Sequence, residues 1–178
     1  MDRPLVIVPY TDLQTRTKAS LNSPLLDVHF LLLSNRDNAY WEALKNVWHE
    51  GRSFIVVEHD IIASVKALLD LWLCPSPWCS QPYQYRGSGW IRALGCTKFS
   101  SEIIEKVPDL FERILELPFP KDPTKKATYW RSLDSFMFKI LKGEGFQVCP
   151  HDIKVGHFHR YLEVPYKGYI QTFVWKEQ

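Results

Sequence analysis

Short apolar runs alternate with amphipathic stretches along the first half of the chain. The runs at residues 5–8 and 54–57 are mostly β-branched and predict buried strands, because β-branched side chains pack well on a pleated backbone. The apolar run at 28–33 predicts a further strand. The stretch that ends at Gly51 and the stretch at residues 61–72 repeat their apolar positions every three or four residues, which predicts helices. This alternation indicates an α/β fold, a parallel sheet with helices on both faces.

The second half of the chain has a less regular pattern, because prolines and glycines interrupt it. Its predicted elements are a loop or irregular strands at residues 78–89, strands at 90–96 and 146–149, a helix after Ser100 or Ser101, and helices at 109–117 and 128–142. We expect all 178 residues to form a single domain.

The polar triplet Glu58-His59-Asp60 follows the predicted strand at 54–57 and precedes the predicted helix at 61–72. In open α/β sheets, ligands bind at the edge formed by the carboxyl ends of the strands. The triplet is therefore a candidate for metal or ligand binding. The alternative is a polar turn in which Glu58 or Asp60 caps the helix.

Asp134 is a second candidate, because it lies at the edge of an otherwise apolar helix face. That face consists of Trp130, Leu133, Phe136, Met137, Ile140 and Leu141. An unpaired carboxylate is costly to bury. We therefore expect Asp134 either to pair with a neighbouring base or to point into a cleft.

Three of the six histidines, His151, His157 and His159, lie within nine residues. In an extended segment His157 and His159 point the same way, and either of them could join distant carboxylates at a metal. The alternative is a pair of surface histidines. A zinc site that combines Cys149 with these three histidines is conceivable, although its spacing matches no common zinc finger.

Composition narrows the functional classes. The chain is 46% hydrophobic and 24% charged, and its net charge of +2 provides no general basic footprint for nucleic acid. No apolar run reaches the length of a bilayer span, and the N-terminus lacks the pattern of a signal peptide. The four cysteines form no C-x-x-C pair, so we expect reduced thiols, mostly buried, and a cytoplasmic protein without membrane contact.

The order of these motifs resembles the GT-A fold of nucleotide-sugar-dependent glycosyltransferases, in a small single-domain version of the bacterial or phage type. The resemblance implies a Rossmann-like, mixed but mostly parallel sheet. Glu58-His59-Asp60 looks like the D-x-D motif of the family, with glutamate at its first position. By that likeness Asp60 would bind the metal, Glu58 would contact the ribose or the metal, and His157 would be a further metal ligand. Asp134 would be the catalytic carboxylate.

The resemblance also assigns donor-binding positions. Pro9-Tyr10-Thr11 and the segment that contains Asn35 and Arg36 follow the first two strands, where such enzymes hold the base and ribose. Trp90 begins a segment similar to the ledge that faces the sugar and the acceptor.

The implied reaction moves a sugar from a UDP- or GDP-sugar to an acceptor hydroxyl, with Mn²⁺ or Mg²⁺ as cofactor. The imidazole of His157 would favour Mn²⁺. Some phage proteins of this type glycosylate hydroxylated DNA bases, so modified DNA is one expected acceptor, beside a glycan or a protein. Two alternatives remain: a metal-dependent phosphodiesterase or nuclease built on Glu58, Asp60 and His157, and a binding module in which the aromatic residues from Trp72 to Trp90 stack on a ligand.

Overall fold

A computed structural model describes residues 3–84, 89–117, 128, 132–157, 165–166 and 169–170. The strands are β1 (Leu5–Tyr10), β2 (Asp27–Leu32), β3 (Phe54–Val57), β4 (Ile61–Ile62), β5 (Trp78–Ser80), β6 (Tyr83–Gln84), β7 (Trp90–Ile91), β8 (Cys96–Phe99), β9 (Cys149–Pro150), β10 (Gly156–His157), β11 (Pro165–Tyr166) and β12 (Tyr169–Ile170). The helices are α1 (Thr15–Ser20), α2 (Ala39–His49), α3 (Val65–Leu73), α4 (Ser101–Lys106), α5 (Leu110–Leu115) and α6 (Leu133–Gly143).

Six strands form the central sheet, in the order β2-β1-β3-β8-β5-β9. The strands β2 and β3 run parallel to β1, and β9 runs parallel to β5. The strand β8 runs antiparallel to both β3 and β5. The predicted α/β class with a mixed, mostly parallel sheet is therefore confirmed. Because β8 is reversed, its first residue, Cys96, lies opposite Val57 at the carboxyl end of β3. Residues that precede β8 consequently meet residues that follow β3 at one edge of the sheet.

Alternate side chains of the strands enter two separate cores, as the period of two along a strand requires. Leu5 and Ile7 pack on the side of α2, α4, α5 and α6, where Trp48, Phe54, Phe99 and Phe111 make an aromatic cluster. Val6 and Val8 pack on the opposite, mostly aliphatic side, which α3 covers. Helices therefore cover both faces of the sheet.

The prediction of a helix that begins at residue 61 is wrong. Ile61 and Ile62 form the short strand β4, which pairs antiparallel with β10. The helix α3 begins at Val65, because the side chain of Ser64 caps it and accepts a hydrogen bond from the Ala67 amide at 3.2 Å. Neither Glu58 nor Asp60 is therefore the residue that caps α3.

Three strand predictions also need correction. The segment at 78–89, predicted to be a loop or irregular strands, contains the regular strand β5, which lies inside the sheet with all three residues buried. The strand predicted at 90–96 is two elements, since only Trp90–Ile91 is extended and the sheet strand β8 begins at Cys96. The strand predicted at 146–149 is β9, the last strand of the central sheet along the chain, and it begins at Cys149 rather than at residue 146.

The strand β2 lies at the edge of the sheet and is less buried than its apolar sequence predicts, with Leu32 71% exposed. The predicted helix at 128–142 is described from Leu133 onwards. Trp130, His159 and most of the predicted extended tail lie outside the described residues. Within the described part of the chain, no helix is both long and apolar enough to cross a bilayer.

Candidate functional site

The triplet Glu58-His59-Asp60 forms a tight turn at the edge of the sheet. The Glu58 amide donates to the Gly95 carbonyl at 3.0 Å, and the Glu58 carbonyl accepts from the Ile61 amide at 3.0 Å. The carbonyl of His59 accepts from the Gln14 amide at 3.2 Å, which brings the segment after β1 to the same turn. These backbone contacts fix the triplet among segments that are distant in sequence.

Asp60 and His157 meet at this edge although they are 97 residues apart in the sequence. The pairing of β4 with β10 sets His157 opposite Ile61, beside Asp60. The Oδ2 atom of Asp60 lies 3.2 Å from Nε2 of His157, and their side chains are 11% and 5% exposed. We call Glu58, Asp60 and His157 the carboxylate site.

The other ring nitrogen of His157, Nδ1, lies 2.8 Å from the Gln84 carbonyl. A carbonyl oxygen can only accept, so Nδ1 carries a proton and donates it. In the neutral imidazole, Nε2 then faces Asp60 with a lone pair. Nε2 of His157 and Oδ2 of Asp60 are then both hydrogen-bond acceptors, and at 3.2 Å they need a proton or a cation between them. Burial acts to lower the pKa of His157, but the Asp60 carboxylate outweighs it, so the pKa is raised.

Glu58 lies beside this pair and accepts a hydrogen bond from the Tyr40 hydroxyl at 3.2 Å. Burial, and then the negative charges of Asp60 and Asp134, raise the pKa of Glu58 to about 7. A bound cation would relieve this repulsion. Among the described residues, however, Glu58, Asp60 and His157 do not bring three donor atoms within 4.8 Å of one another.

Asp134 lies in the first turn of α6, and its charge acts on Glu58, Tyr40 and Tyr83. Its Oδ1 atom accepts a hydrogen bond from the Ser135 amide at 2.7 Å. Burial raises the pKa of Asp134. The hydrogen bonds of Asp134 go to Ser135, which is not a base. The residues on which its charge acts include Glu58, so Asp134 lies on the side of the carboxylate site.

Sequence reasoning missed the residues that support the site. The Tyr83 ring packs edge-on against the His157 ring, with centroids 5.1 Å apart. Gly95 makes this possible, because a Cβ atom there would lie 2.6 Å from Cε1 of Tyr83. Two features of the sequence could have indicated these residues: Gly95 just precedes a strand, and Tyr40 is a polar-tipped residue among the apolar positions of α2.

The residues predicted to bind the nucleotide lie in the last positions of β1 and in the segments that follow β1 and β2, which end at the same edge. Pro9 is buried, Tyr10 is half-buried, and Thr11, Asn35 and Arg36 are exposed. The burial of Pro9 leaves its ring little surface for a ligand. The Tyr10 carbonyl accepts from the Leu33 amide at 2.7 Å, which ties the two segments together.

Two of the predicted donor-binding side chains already have partners. The Arg36 guanidinium donates to Glu42 Oε2 at 2.6 Å, and both side chains are well exposed. The Trp90 ring, 40% exposed, lies under the Lys154 ammonium at 4.7 Å from the ring centroid. Both residues remain at the surface, where a ligand could reach them.

The zinc set of Cys149, His151, His157 and His159 is not assembled among the described residues. Cys149 and His151 instead join Cys74 and Cys79, and the donor atoms of these four residues lie within 4.8 Å of one another. We call these four residues the thiol cluster. All four cysteines of the chain are thiols, with Cys79 and Cys96 buried and Cys74 and Cys149 half-buried.

The sequence matches no protein-family model and no curated protein. The crystal structure of A197 from STIV matches with a TM-score of 0.59 and 13% identity, over 89% of this chain and 86% of that chain. The crystal structure of a glycosyltransferase involved in the glycosylation of the major capsid of PBCV-1 matches with a TM-score of 0.52 and 9% identity, over 85% and 82%. At these identities the likeness shows a shared fold, and the activity has to be argued from the site itself.

Proposed function

We propose that this protein is a metal-dependent glycosyltransferase that moves a sugar from a nucleotide-sugar donor to an acceptor hydroxyl. The observation that carries the proposal is the contact of Asp60 with His157 at the edge of the sheet, 3.2 Å between side-chain atoms of residues 97 positions apart in the sequence. That edge is where α/β sheets bind their ligands. The fold shared with a glycosyltransferase of known structure supports the same reading.

Asp60 and His157 are the two residues of the carboxylate site that would hold a divalent cation. Two atoms that each lie about 2.1 Å from one ion, at roughly a right angle, are about 3 Å apart, close to the observed separation of Asp60 and His157. Oxygen with one imidazole nitrogen suits Mn²⁺ better than Mg²⁺. When bound, such a cation neutralises the diphosphate leaving group as a Lewis acid.

Asp134 is the proposed general base. Its pKa is raised by burial, which brings its basicity closer to neutral pH. The Asp134 carboxylate would take the proton of the acceptor hydroxyl as that oxygen attacks the anomeric carbon. This role implies inversion at that carbon. Glu58, held by Tyr40, would contact the donor ribose or the cation.

The donor nucleotide would lie along the ends of β1 and β2. Tyr10, Thr11, Asn35 and Arg36 offer a ring, a hydroxyl, an amide and a guanidinium there. Trp90 would face the sugar with its exposed ring. Pro9 would contribute through its backbone, since its side chain is buried.

A thermal-shift screen of UDP- and GDP-sugars with and without Mn²⁺ tests the proposal. We expect stabilisation that needs both the cation and one class of donor, because a ligand that binds only the folded state raises its melting temperature. Asp60→Asn should abolish the Mn²⁺-dependent part of the shift. Asp27→Asn is a matched control, because Asp27 also lies 3.2 Å from an imidazole, that of His29, but on the exposed edge strand.

The absence of a shift with every donor contradicts the glycosyltransferase, and cleavage of a phosphodiester without any sugar donor would identify a phosphodiesterase instead. A shift that persists in Asp60→Asn contradicts the cation site. A donor-dependent shift without Mn²⁺ dependence and without sugar release would indicate a binding module.

A further inference from the structure

The thiol cluster brings together side chains from three places in the fold. Cys74 directly follows α3, Cys79 lies in β5, and Cys149 and His151 lie in and just after β9. The parallel pairing of β5 with β9 sets Cys79 opposite Cys149, and the His151 amide donates to the Ser80 carbonyl at 3.1 Å. We propose that Cys74, Cys79, Cys149 and His151 bind one Zn²⁺ ion, in a site separate from the carboxylate site.

The spacing of the donor atoms fits tetrahedral zinc. Two sulfurs bound to zinc at about 2.3 Å in tetrahedral geometry lie about 3.8 Å apart. The Sγ atoms of Cys74 and Cys149 are 3.9 Å apart, and all four donors lie within 4.8 Å of one another. Small side-chain movements would therefore close the shell. Three cysteines and one histidine are a common ligand set of structural zinc sites.

His151 is oriented as a zinc ligand. Its Nδ1 atom is hydrogen-bonded to the Asp70 carboxylate, and Asp70 is itself held by the Gln81 side-chain amide at 2.9 Å. The other ring nitrogen, Nε2, is buried and has no hydrogen-bond partner among the described residues. A histidine that binds zinc through one nitrogen and a carboxylate through the other is the usual arrangement of such ligands. The Cys74 thiol also acts on this imidazole, so a zinc ion bound by both groups would take the place of that contact.

The charges around the cluster also favour zinc. Three thiolates and one Zn²⁺ carry a net charge of −1, and the three displaced thiol protons pass to solvent. The Lys98 side chain, 5% exposed, donates to the carbonyls of Cys74 and Ser76, which places its positive charge beside the cluster. Lys98 would therefore offset the excess negative charge of the zinc-bound cluster.

Bound zinc would fasten the edge of the sheet. The strand β9 has only two residues, and its described ladder joins it to β5 alone. A zinc ion would link it covalently to β5 and to the end of α3. The segment that follows β9 leads directly to His157, so the zinc would also anchor the segment that supplies the imidazole of the carboxylate site.

Metal analysis of the protein purified without chelator tests the proposal. We expect one zinc ion per chain, and replacement by Co²⁺ should give the intense visible bands of a tetrahedral site together with thiolate-to-cobalt charge-transfer bands. Both measurements use the wild-type chain, so they do not depend on whether a variant folds. A reduced, folded protein that contains no zinc and gives no such cobalt bands overturns the proposal, as does a metal-free protein with a Cys74–Cys149 disulfide.

Two variants assign the ligands. Cys149→Ser and His151→Ala should lose the bound zinc, whereas Cys96→Ser should retain it, because Cys96 is a buried thiol outside the cluster. Asp60→Asn should also retain it. Zinc that is lost in Asp60→Asn but kept in Cys149→Ser would place the ion at the carboxylate site and overturn the proposal, independently of the outcome of the donor screen.

Discussion

The carboxylate site and the thiol cluster lie at the two ends of one helix. Asp60 precedes α3 and Cys74 follows it, and the nine residues of α3 span about 13 Å at about 1.5 Å per residue. The segment 149–157 completes both, with Cys149 and His151 at one end and His157 at the other. The two sites therefore share their scaffold and differ in ligand chemistry.

The difference in ligands implies a different role for the cation proposed at each site. At the carboxylate site an oxygen and a nitrogen meet, and a six-coordinate Mn²⁺ or Mg²⁺ bound there would have positions left for substrate oxygens. At the thiol cluster four donors converge, which fills a tetrahedral shell. An incomplete ligand set is suited to chemistry, and a complete one to holding the chain together.

The largest effect is expected for Asp134→Asn, which should lower the reaction rate without changing metal binding at either proposed site. Asp134→Asn should slow release of nucleotide diphosphate from the donor by about 10²–10⁴-fold, because a general base contributes on that order. Zinc content and the Mn²⁺-dependent thermal shift should stay unchanged. Asp109→Asn is the matched control, an exposed aspartate at the start of α5. An unchanged rate in Asp134→Asn would remove this residue as the base.

A smaller effect should weaken the thiol cluster alone. Asp70→Asn replaces the carboxylate that holds His151, and loss of such an outer partner lowers metal affinity by about 10–100-fold. Competition with a chromophoric zinc chelator measures the change, and the Mn²⁺-dependent donor shift should not move. Asp152→Asn, at a fully exposed side chain, provides the comparison. Equal zinc affinities in the two variants would contradict the role of Asp70.

The smallest effect should disturb the carboxylate site through its packing. Gly95→Ala places a methyl group against Tyr83 and should cost about 1–3 kcal/mol as overpacking, or roughly 2–4 °C of melting temperature per kcal/mol. Because Tyr83 packs on His157, the Mn²⁺-dependent shift should also decrease, while zinc stays bound. Gly143→Ala has open space around it and should be nearly neutral. If Gly95→Ala keeps the melting temperature of the wild type, the Tyr83 ring moves aside without lowering the free energy of unfolding, which contradicts the prediction.

Local patterns in the sequence predict the first half of the fold well. The buried residues of α2 are Ala39 and the apolar positions that the helical period predicts, which are Tyr40, Trp41, Leu44, Val47 and Trp48. The strand β3 has its predicted bounds, because the apolar run there belongs to one element. The error at Ile61 and Ile62 has a physical cause. Their apolar spacing continues the period of the helix, but pairing with β10 and the cap at Ser64 decide where α3 begins. Neither interaction is visible in a local window.

The two sites were predictable to different degrees. Glu58 and Asp60 belong to a polar triplet directly after a buried strand, so two residues of the carboxylate site could be chosen from the sequence. The thiol cluster depends on the parallel pairing of β5 with β9, and β5 itself was hidden among prolines. The sequence spacing between Cys79 and Cys149 therefore cannot predict their contact until the order of the strands is known.

The ligands of both sites come from widely separated parts of the polypeptide: Asp60 and His157 are 97 positions apart in the sequence, and Cys74 and Cys149 are 75 positions apart. A chain emerging from the ribosome would hold neither complete set until the segment 149–157 had been made and had docked. Contacts of such long range form slowly. If both sites bind metal as proposed, metal loading would be a late event in the maturation of this protein, and shortened chains that end before Cys149 would lack both ligand sets.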